Sequence, residues 1–284
     1  AHTEDCPEAA IGDAERSIYA VQFHPEVGHT QQGARMLENF LIDICKCAAD
    51  WTPQDLATEL IAKVREQVGE DGEIILGLSG GVDSSVVGAI CQQAIGKRCH
   101  AIFVDNGLLR EGERDMVDIA FREHFDLDLT TIEAEERFLV KLAGETDPEK
   151  KRKIIGYEFV EIFREQAKRF TNANFLGQGT LYPDVIESVA AHGGATEVIK
   201  SHHNVGGLPD DLELDLVEPL RWLFKDEVRE LGRVLGLPDA MVDRQPFPGP
   251  GLAVRCVGDC QPERISRLRQ ADKIVREEFE SRGE

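Results

Sequence analysis

The stretch Ile74-Ile-Leu-Gly-Leu-Ser-Gly-Gly-Val-Asp-Ser-Ser85 decides the fold of this chain. Its first part, Ile74–Leu78, is an apolar run that predicts a buried parallel strand, and the residues after Ser85 begin like a helix. We call the residues between them, Ser79–Ser85, the glycine loop. Its two glycines let an anion approach the free amides and the positive dipole end of the helix. The pattern predicts an oxyanion site; the alternative, a tight turn without a ligand, is disfavoured by the hydroxyl and carboxylate side chains beside the glycines.

Charge and composition exclude several classes of protein. The 284 residues include 53 acidic and 32 basic side chains, a net charge of −21, which argues against a general nucleic-acid binder. A phosphate ligand must therefore be held by local groups, with help from Mg²⁺. No apolar run approaches the roughly 20 residues of a membrane span, and none resembles a secretory leader, so we expect no membrane partner. Seven cysteines without a Cys-x-x-Cys pair favour reduced thiols in a cytoplasm.

Strand and helix patterns alternate along most of the chain. The predicted strands are residues 17–23, 74–78, 100–104, 127–132 and 174–176, and the predicted helices are residues 31–45, 56–68, 113–125, 152–170 and 262–280, with one more from about Ser84. Alternation of this kind predicts an α/β fold with a doubly wound, mostly parallel sheet. Ser79, Asp105 and Gln178 each follow a predicted strand, so they are expected to meet at the ligand-binding edge of the sheet.

Several motifs together carry a resemblance to a known family. The glycine loop resembles the pyrophosphate (PP) loop of the N-type ATP pyrophosphatases, and the whole chain resembles glutamine-hydrolysing GMP synthase. The motifs are Val21-Gln-Phe-His-Pro-Glu26, Ser79–Ser85, Val104-Asp-Asn-Gly-Leu-Leu-Arg110, Arg152-Lys-Ile-Ile-Gly156, the run from Gly179 to Ser188, Lys200-Ser-His-His-Asn-Val-Gly-Gly-Leu-Pro209, and Arg244-Gln-Pro-Phe-Pro-Gly-Pro-Gly-Leu252. The fold this implies is the PP-loop, adenine-nucleotide α-hydrolase-like type.

The resemblance also implies a division into domains. Residues 1–47 would be the end of a class I glutamine amidotransferase domain, residues 48–255 the ATP pyrophosphatase domain, and residues 256–284 the start of an α+β dimerisation domain. Since the chain opens on Ala1 in the middle of a pattern, we expect a fragment or a processed chain. His24 and Glu26 match a catalytic triad whose cysteine nucleophile is not found here. Ammonia is therefore the expected nitrogen donor, and glutamine would require an intact amidotransferase domain.

The activity implied is that of a ligase, which we expect to be impaired in this chain, because in the family the dimerisation domain completes the XMP site and only its truncated start is found here. An oxygen of xanthosine monophosphate (XMP) attacks the α-phosphate of ATP, pyrophosphate leaves, and ammonia then displaces AMP to give GMP. The residues expected to bind ATP are Ser79, Gly80, Gly81, Val82, Asp83, Ser84, Ser85, Asp105, Arg110, Gln178 and Lys200. Lys200 suits phosphate as a compact point charge. Asp83 is a loop anchor or a Mg²⁺ ligand, and Asp184 either binds Mg²⁺ or braces its loop.

The remaining assignments have structural alternatives. The run containing Lys151, Arg152 and Lys153 would by default be a solvated face, but the resemblance makes it part of a mobile lid over ATP. Arg110 either contacts the nucleotide or is a charge at a helix start. The expected XMP-binding residues Arg244, Gln245, Pro248 and Gly249 lie in a segment that would otherwise be a rigid linker. The family forms homodimers.

Two other interpretations stay open from the sequence. A related PP-loop enzyme, such as NAD synthetase or a tRNA thiolase, shares the glycine loop, but a thiolase would need reactive cysteines and a basic face. The chain could alternatively bind ATP without turnover. Pyrophosphate release measured with and without XMP separates these interpretations.

Overall fold

The protein is described from a computed structural model, which covers residues 1–27, 29–186 and 214–282. The chain divides into two compact units, Ala1–Thr52 and Pro53–Glu284. The second unit includes the residues after 255, so the predicted start of a dimerisation domain does not coincide with a break between compact units. The three predicted domains therefore stay predictions.

The first unit contains a hairpin and a helix. Its elements are β1 (Ala10–Asp13), β2 (Ile18–Val21), α1 (Gly33–Glu38) and a π-helical continuation of α1 (Asn39–Ile44). The two strands pair in antiparallel fashion. Of the described residues in this unit, only Ala9 and Gly33 are buried. Gly33 is needed there, because a Cβ at this position would lie 1.9 Å from the Pro25 carbonyl oxygen. The unit builds no core of its own.

The second unit is built on a parallel sheet. Its strands are β3 (Glu73–Leu78), β4 (Cys99–Asp105), β5 (Asp128–Glu133), β6 (Ala173–Gly177) and β7 (Asp215–Val217), in the spatial order β5-β4-β3-β6-β7. Every pair of neighbouring strands is parallel. The predicted doubly wound α/β fold is confirmed.

Helices cover both faces of this sheet. They are α2 (Pro53–Val68), α3 (Val82–Ile95), α4 (Glu113–Asp118, continued as a π-helix over Ile119–His124), α5 (Glu135–Leu142), α6 (Pro148–Ala167), α7 (Lys225–Val234), α8 (Asp239–Val242) and α9 (Pro262–Ser281), with 3-10 turns at Gly96–Arg98 and Gly251–Val254. On β3, Ile74 and Leu76 join the core under α2, α3 and α7, whereas Ile75 joins the core under α5 and α6. Burial on both faces explains the unbroken apolar run that predicted this strand.

The last helix, α9, packs against the second unit at its beginning. Ile265 is buried in the same core as α6, and Asp272 is buried as well. Further along, Ile274, Val275 and Phe279 are exposed. Among the helices of the described ranges, none is long and apolar enough to cross a membrane.

Candidate functional site

The glycine loop lies at the point where the sheet reverses its direction of growth. From β3 the chain adds β4 and β5 towards one edge, then returns to place β6 and β7 on the other side of β3. Crossovers on opposite faces leave a crevice beyond the ends of β3 and β6, and ligands of open α/β sheets bind in such crevices. Ser79 follows β3 and Gln178 follows β6, so the structure brings these two predicted positions to the same crevice.

The backbone of the glycine loop is shaped for an anion. Gly80 has φ +73°, a conformation that favours glycine, and Gly81 is extended before α3 begins at Val82. The amides of Val82, Asp83 and Ser84 form the first turn of α3, so they have no carbonyl partner within the helix. These amides and the positive end of the helix dipole can therefore bind phosphate oxygens.

The serine hydroxyls of the loop bind mainly to the loop itself. Ser84 Oγ lies 3.1 Å from both Ser79 Oγ and the Gly81 carbonyl oxygen, and Ser85 Oγ donates to that carbonyl at 2.8 Å. The Ser85 amide also donates to Gly81, and Ser85 is fully buried. Ser85 thus braces the loop in this structure, whereas the sequence predicted it as a phosphate donor.

Gly179 packs directly against the loop. A Cβ on Gly179 would lie 3.2 Å from Asp83 Cβ and 3.4 Å from the Ser84 amide nitrogen, closer than side chains normally approach. The residues just after β6 therefore pack directly against the first turn of α3. The neighbouring residue, Gln178, is half-buried, and its backbone amide donates to the Val217 carbonyl at 3.0 Å.

One cation that the sequence analysis did not identify lies at the loop. Lys225 Nζ contacts both carboxylate oxygens of Asp83 at 2.6 and 2.7 Å. Lys225 is the first residue of α7 and lies 142 positions further along the chain. Its side chain is 46% exposed and that of Asp83 is 29% exposed, so both can reach a ligand. No local pattern marks Lys225, because only the tertiary fold brings α7 to the glycine loop.

We predict that Lys225→Met weakens the binding of Mg²⁺-ATP about tenfold, because one charge-assisted contact is lost beside the phosphates. Isothermal titration calorimetry measures this. Lys63→Met is the matched control, since Lys63 forms an exposed ion pair with Glu59 in α2, 2.5 Å apart. Equal affinities of the two variants would show that Lys225 does not contribute to the site.

Asp105 lies at the end of β4, as predicted. Its Oδ1 accepts a hydrogen bond from the Gly107 amide at 3.0 Å, and its Oδ2 lies 3.4 Å from Arg114 Nη1. Arg114 also contacts Glu133 at 2.7 Å. These residues line a cleft of about 720 Å³ beyond the ends of β4 and β5. Asp105 is therefore a bracing residue of its own loop that also faces this cleft.

Arg110 is buried among protein groups. Its side chain is 6% exposed, its Nη1 donates to the Gln245 carbonyl at 2.9 Å, and its Nε lies 3.1 Å from Asp272. Its guanidinium also stacks 4.3 Å from the ring of Phe247. Burial lowers the pKa of Arg110, although the guanidinium stays ionised. Arg110 therefore connects the 244–252 segment to α9. The sequence favoured it as a nucleotide contact, and in this structure its guanidinium contacts protein groups instead.

Arg244, predicted to bind XMP, contacts the glycine loop. It donates through Nη1 to the Gly80 carbonyl and through Nη2 contacts the carboxylate of Glu113. Its side chain is 14% exposed. The other predicted XMP residues are more open: Gln245 and Gly249 are exposed, and Pro248 is half-buried.

The predicted lid residues divide into two groups. Lys151 is fully buried, and its Nζ donates to the carbonyls of Ala253 and Cys256 at 3.3 and 2.8 Å and to that of Gly258. The structure therefore contradicts a solvent-facing lid position for Lys151. Arg152 and Lys153 are exposed, and Arg152 pairs with Glu149 at 2.7 Å. They remain available for the predicted role.

The remaining predicted residues are only partly described. Lys200 lies outside the described residues. Asp184 accepts a hydrogen bond from the Leu181 amide at 2.9 Å, which supports its loop-bracing interpretation. Across residues 1–27, 29–186 and 214–282, no cluster of three or more potential ligands for a metal is found. Magnesium bound with a nucleotide needs only one or two carboxylates besides phosphate oxygens, and Asp83 fits that requirement.

His24 and Glu26 lie in the first unit. Nδ1 of His24 and Oε1 of Glu26 are 2.7 Å apart, and both side chains are exposed. This contact matches the orienting role that the resemblance implies for the pair, but it does not by itself supply a nucleophile.

Comparisons with protein families and curated proteins find similarity in both compact units. The family model for NAD synthase matches residues 55–155, and that for class-I glutamine amidotransferase matches residues 1–44. The chain is 57% identical over 98% of its length to a glutamine-hydrolyzing GMP synthase of Shewanella loihica, and 56% identical over 99% to that of Photobacterium profundum. The chain spans about half the length of these relatives, 53% in both cases. The predicted resemblance to GMP synthase is confirmed.

Solved structures share the fold. An NMN synthetase from Francisella tularensis matches with a TM-score of 0.53 at 16% identity, covering 78% of this chain and 94% of that chain. The NH₃-dependent NAD synthetase from Campylobacter jejuni matches with a TM-score of 0.50 at 16% identity, covering 81% of this chain and 96% of that chain. At these identities the likeness concerns the fold alone.

Proposed function

We propose that this chain, a homologue of glutamine-hydrolysing GMP synthases, carries the adenylation site of such an enzyme. The C2 oxygen of XMP forms a bond to the α-phosphorus of ATP as the bond to the bridging oxygen breaks and pyrophosphate leaves. Ammonia then displaces AMP to give GMP. The observation that supports this proposal most is the glycine loop at the switch point of the sheet, with Asp83 and Lys225 beside it.

The main chemical task is to stabilise the charge that develops on the leaving pyrophosphate. The first-turn amides of α3 and the helix dipole are fixed donors aimed at that charge, and they need no reorganisation during the reaction. Lys225 is a cation at the same place, and it is proposed to exchange its contact with Asp83 for a phosphate oxygen when ATP binds. When bound, Mg²⁺ would neutralise phosphate charge, and Asp83 would be its protein ligand. Lys200 is proposed as a further phosphate contact.

The acceptor nucleotide is proposed to bind along the Arg244–Leu252 segment. Gln245 and Gly249 are exposed there, and they lie in the same segment as Arg244, which touches the glycine loop. This arrangement supports a site in which the acceptor oxygen approaches the α-phosphate from the side of that segment.

The proposal also covers the nitrogen donor, the cellular compartment and the oligomeric state. Ammonia reaches the adenylated intermediate directly, or it comes from glutamine by way of the amidotransferase domain to which His24 and Glu26 would belong. The described cysteines are all free thiols, which supports a reducing cytoplasm. A homodimer of the family type is proposed on the resemblance alone.

Pyrophosphate release tests the proposal. The chain is incubated with Mg²⁺-ATP and ammonium, with and without XMP, and a parallel reaction contains nicotinic acid adenine dinucleotide instead. We expect calorimetric binding of Mg²⁺-ATP and pyrophosphate release that depends on XMP. Release that depends on the dinucleotide would favour NAD synthetase chemistry. Binding without release in any mixture would favour an ATP-binding module without turnover.

A further inference from the structure

A buried ion pair between Glu113 and Arg244 contacts the glycine loop at Gly80. Glu113, at the start of α4, is 3% exposed and contacts Arg244, which donates to the Gly80 carbonyl. The two side chains also border Gly80 closely: a Cβ there would lie 3.1 Å from Glu113 Oε1 and 3.3 Å from Arg244 Nη1. The contact between Arg244 and Gly80 joins residues 164 positions apart. Three segments therefore meet at one peptide of the loop.

The segment that carries Arg244 is itself fixed to the loop after β4. The Leu252 amide donates to the Leu108 carbonyl at 2.8 Å, and Arg110 donates to the Gln245 carbonyl at 2.9 Å. Gly251 has φ +65°, and a Cβ on it would lie 2.4 Å from the Leu108 oxygen. Both ends of the Arg244–Leu252 segment are therefore held against the 106–113 loop, and because Arg244 is part of this segment, a displacement of the segment would also move its contact with the Gly80 carbonyl.

Burying the charges of Glu113 and Arg244 is energetically unfavourable. Burial raises the pKa of the Glu113 carboxyl above its ordinary value, and burial lowers the pKa of the Arg244 guanidinium. Their mutual attraction offsets these effects only in part. Buried ion pairs contribute little net stability compared with apolar residues of the same size, so stability alone does not account for this one. Apolar residues could reproduce neither the donation from Arg244 to the Gly80 carbonyl nor the hydrogen bond that Glu113 accepts from the Arg110 amide, and only the first of these contacts touches the glycine loop.

We infer that Arg244 and Glu113 are positioning residues that fix the Gly80 peptide, so that the amides of the glycine loop stay aimed at the phosphates and their geometry follows the Arg244–Leu252 segment. The inference rests on the proposed function, in which that segment binds the acceptor nucleotide. Occupancy of the acceptor site and the shape of the ATP site are then linked through one guanidinium group.

The test uses a double variant that removes the contact without leaving a buried charge. Glu113→Gln keeps an acceptor for the Arg110 amide, which Glu113 now binds at 3.0 Å, and Arg244→Met removes the donor to Gly80. The control is Arg233→Met with Asp243→Asn, which removes an exposed ion pair of 2.5 Å that does not touch the loop. Hydrogen exchange is measured in the ligand-free chain at the Ser79 and Ser85 amides, which donate to Ser84 Oγ at 3.2 Å and to the Gly81 carbonyl at 3.1 Å, and Mg²⁺-ATP affinity is measured by calorimetry.

In the Glu113→Gln/Arg244→Met variant we expect exchange of these amides to be about tenfold faster and Mg²⁺-ATP affinity to be about tenfold weaker, as the loss of one charge-assisted hydrogen bond implies. The control should match the parent in both measurements. Unchanged exchange and affinity in the folded variant would overturn the inference. A lower unfolding temperature with unchanged loop exchange would also overturn it, since the pair would then be purely structural. If the parent itself fails to bind Mg²⁺-ATP, the proposed function fails, while the exchange measurement still decides the inference.

Discussion

Gly179→Val is expected to lower XMP-dependent pyrophosphate release by about 10²-fold, since displacements of about 1 Å in a catalytic site have effects of this size. The Cβ alone would lie 3.2 Å from Asp83 Cβ and 3.3 Å from the Asp83 carbonyl carbon, and valine adds two methyl groups. Main-chain atoms cannot turn aside as a flexible side chain can. The first turn of α3 must therefore shift, and with it the amides that face the phosphates. Steady-state release of pyrophosphate measures the effect.

The matched control for this prediction is Gly156→Val. Gly156 lies within α6, and no atom comes within 4 Å of a Cβ built on it. Valine is no worse than glycine in a helix, so the control should keep the activity and stability of the parent. Equal activity of the two variants would show that the glycine loop tolerates pressure from β6, and the placement of the site at this crevice would then be wrong.

The fold was predictable because local patterns and tertiary packing agree over most of the second unit. The apolar run Ile74–Leu78 predicted β3 to within one residue, since a strand buried on both faces needs no alternation. Helix α6 was predicted over residues 152–170 but begins four residues earlier, at Pro148, where the Asp147 side chain accepts a hydrogen bond from the Lys150 amide. Helix α5 was missed, because its eight residues are fewer than the roughly 11–18 over which helical periodicity can be recognised.

The candidate site was predictable only where it is continuous in sequence. The glycine loop carries its geometry in adjacent residues, so its glycines and helix start could be recognised. Lys225, Glu113 and Arg244 act across 142, 33 and 164 positions respectively, counted to their loop partners. Nothing near Lys225 or Glu113 distinguishes them from ordinary surface charges, since their partners are set by the order of strands. The resemblance did select Arg244, although the structure places it against the glycine loop.

The predicted exposure of Lys151 was wrong for a related reason. A run of charges such as Glu149–Lys153 predicts a solvated helix face, because charged side chains are rarely buried. The helical period nevertheless turns one of these residues inwards: Ile155 is buried four residues after Lys151, on the same side of α6. An ammonium group can occupy such a position only if carbonyl oxygens surround it, and those come from residues about one hundred positions later.

Lys151→Met is accordingly expected to lower the free energy of unfolding by about 3 kcal/mol, because it removes the donor from the buried Cys256 carbonyl and from the partly buried Gly258 carbonyl. Lys151 Nζ binds the carbonyls of Ala253, Cys256 and Gly258, which surround the 3-10 turn before α9. Methionine matches the length of the lysine stem, so packing is kept and the change isolates the lost hydrogen bonds. Urea denaturation followed by circular dichroism measures the effect.

Lys153→Met is the matched control, because Lys153 lies in the same helix and is exposed. A residue that acts in a lid should affect Mg²⁺-ATP affinity and leave stability unchanged, whereas a residue that holds the 253–258 segment should do the reverse. We therefore expect Lys151→Met to lower stability and Lys153→Met to leave it within about 0.5 kcal/mol of the parent, as for other surface substitutions. If Lys151→Met instead kept full stability and weakened Mg²⁺-ATP binding, Lys151 would leave its buried position in solution and the lid prediction for it would be restored.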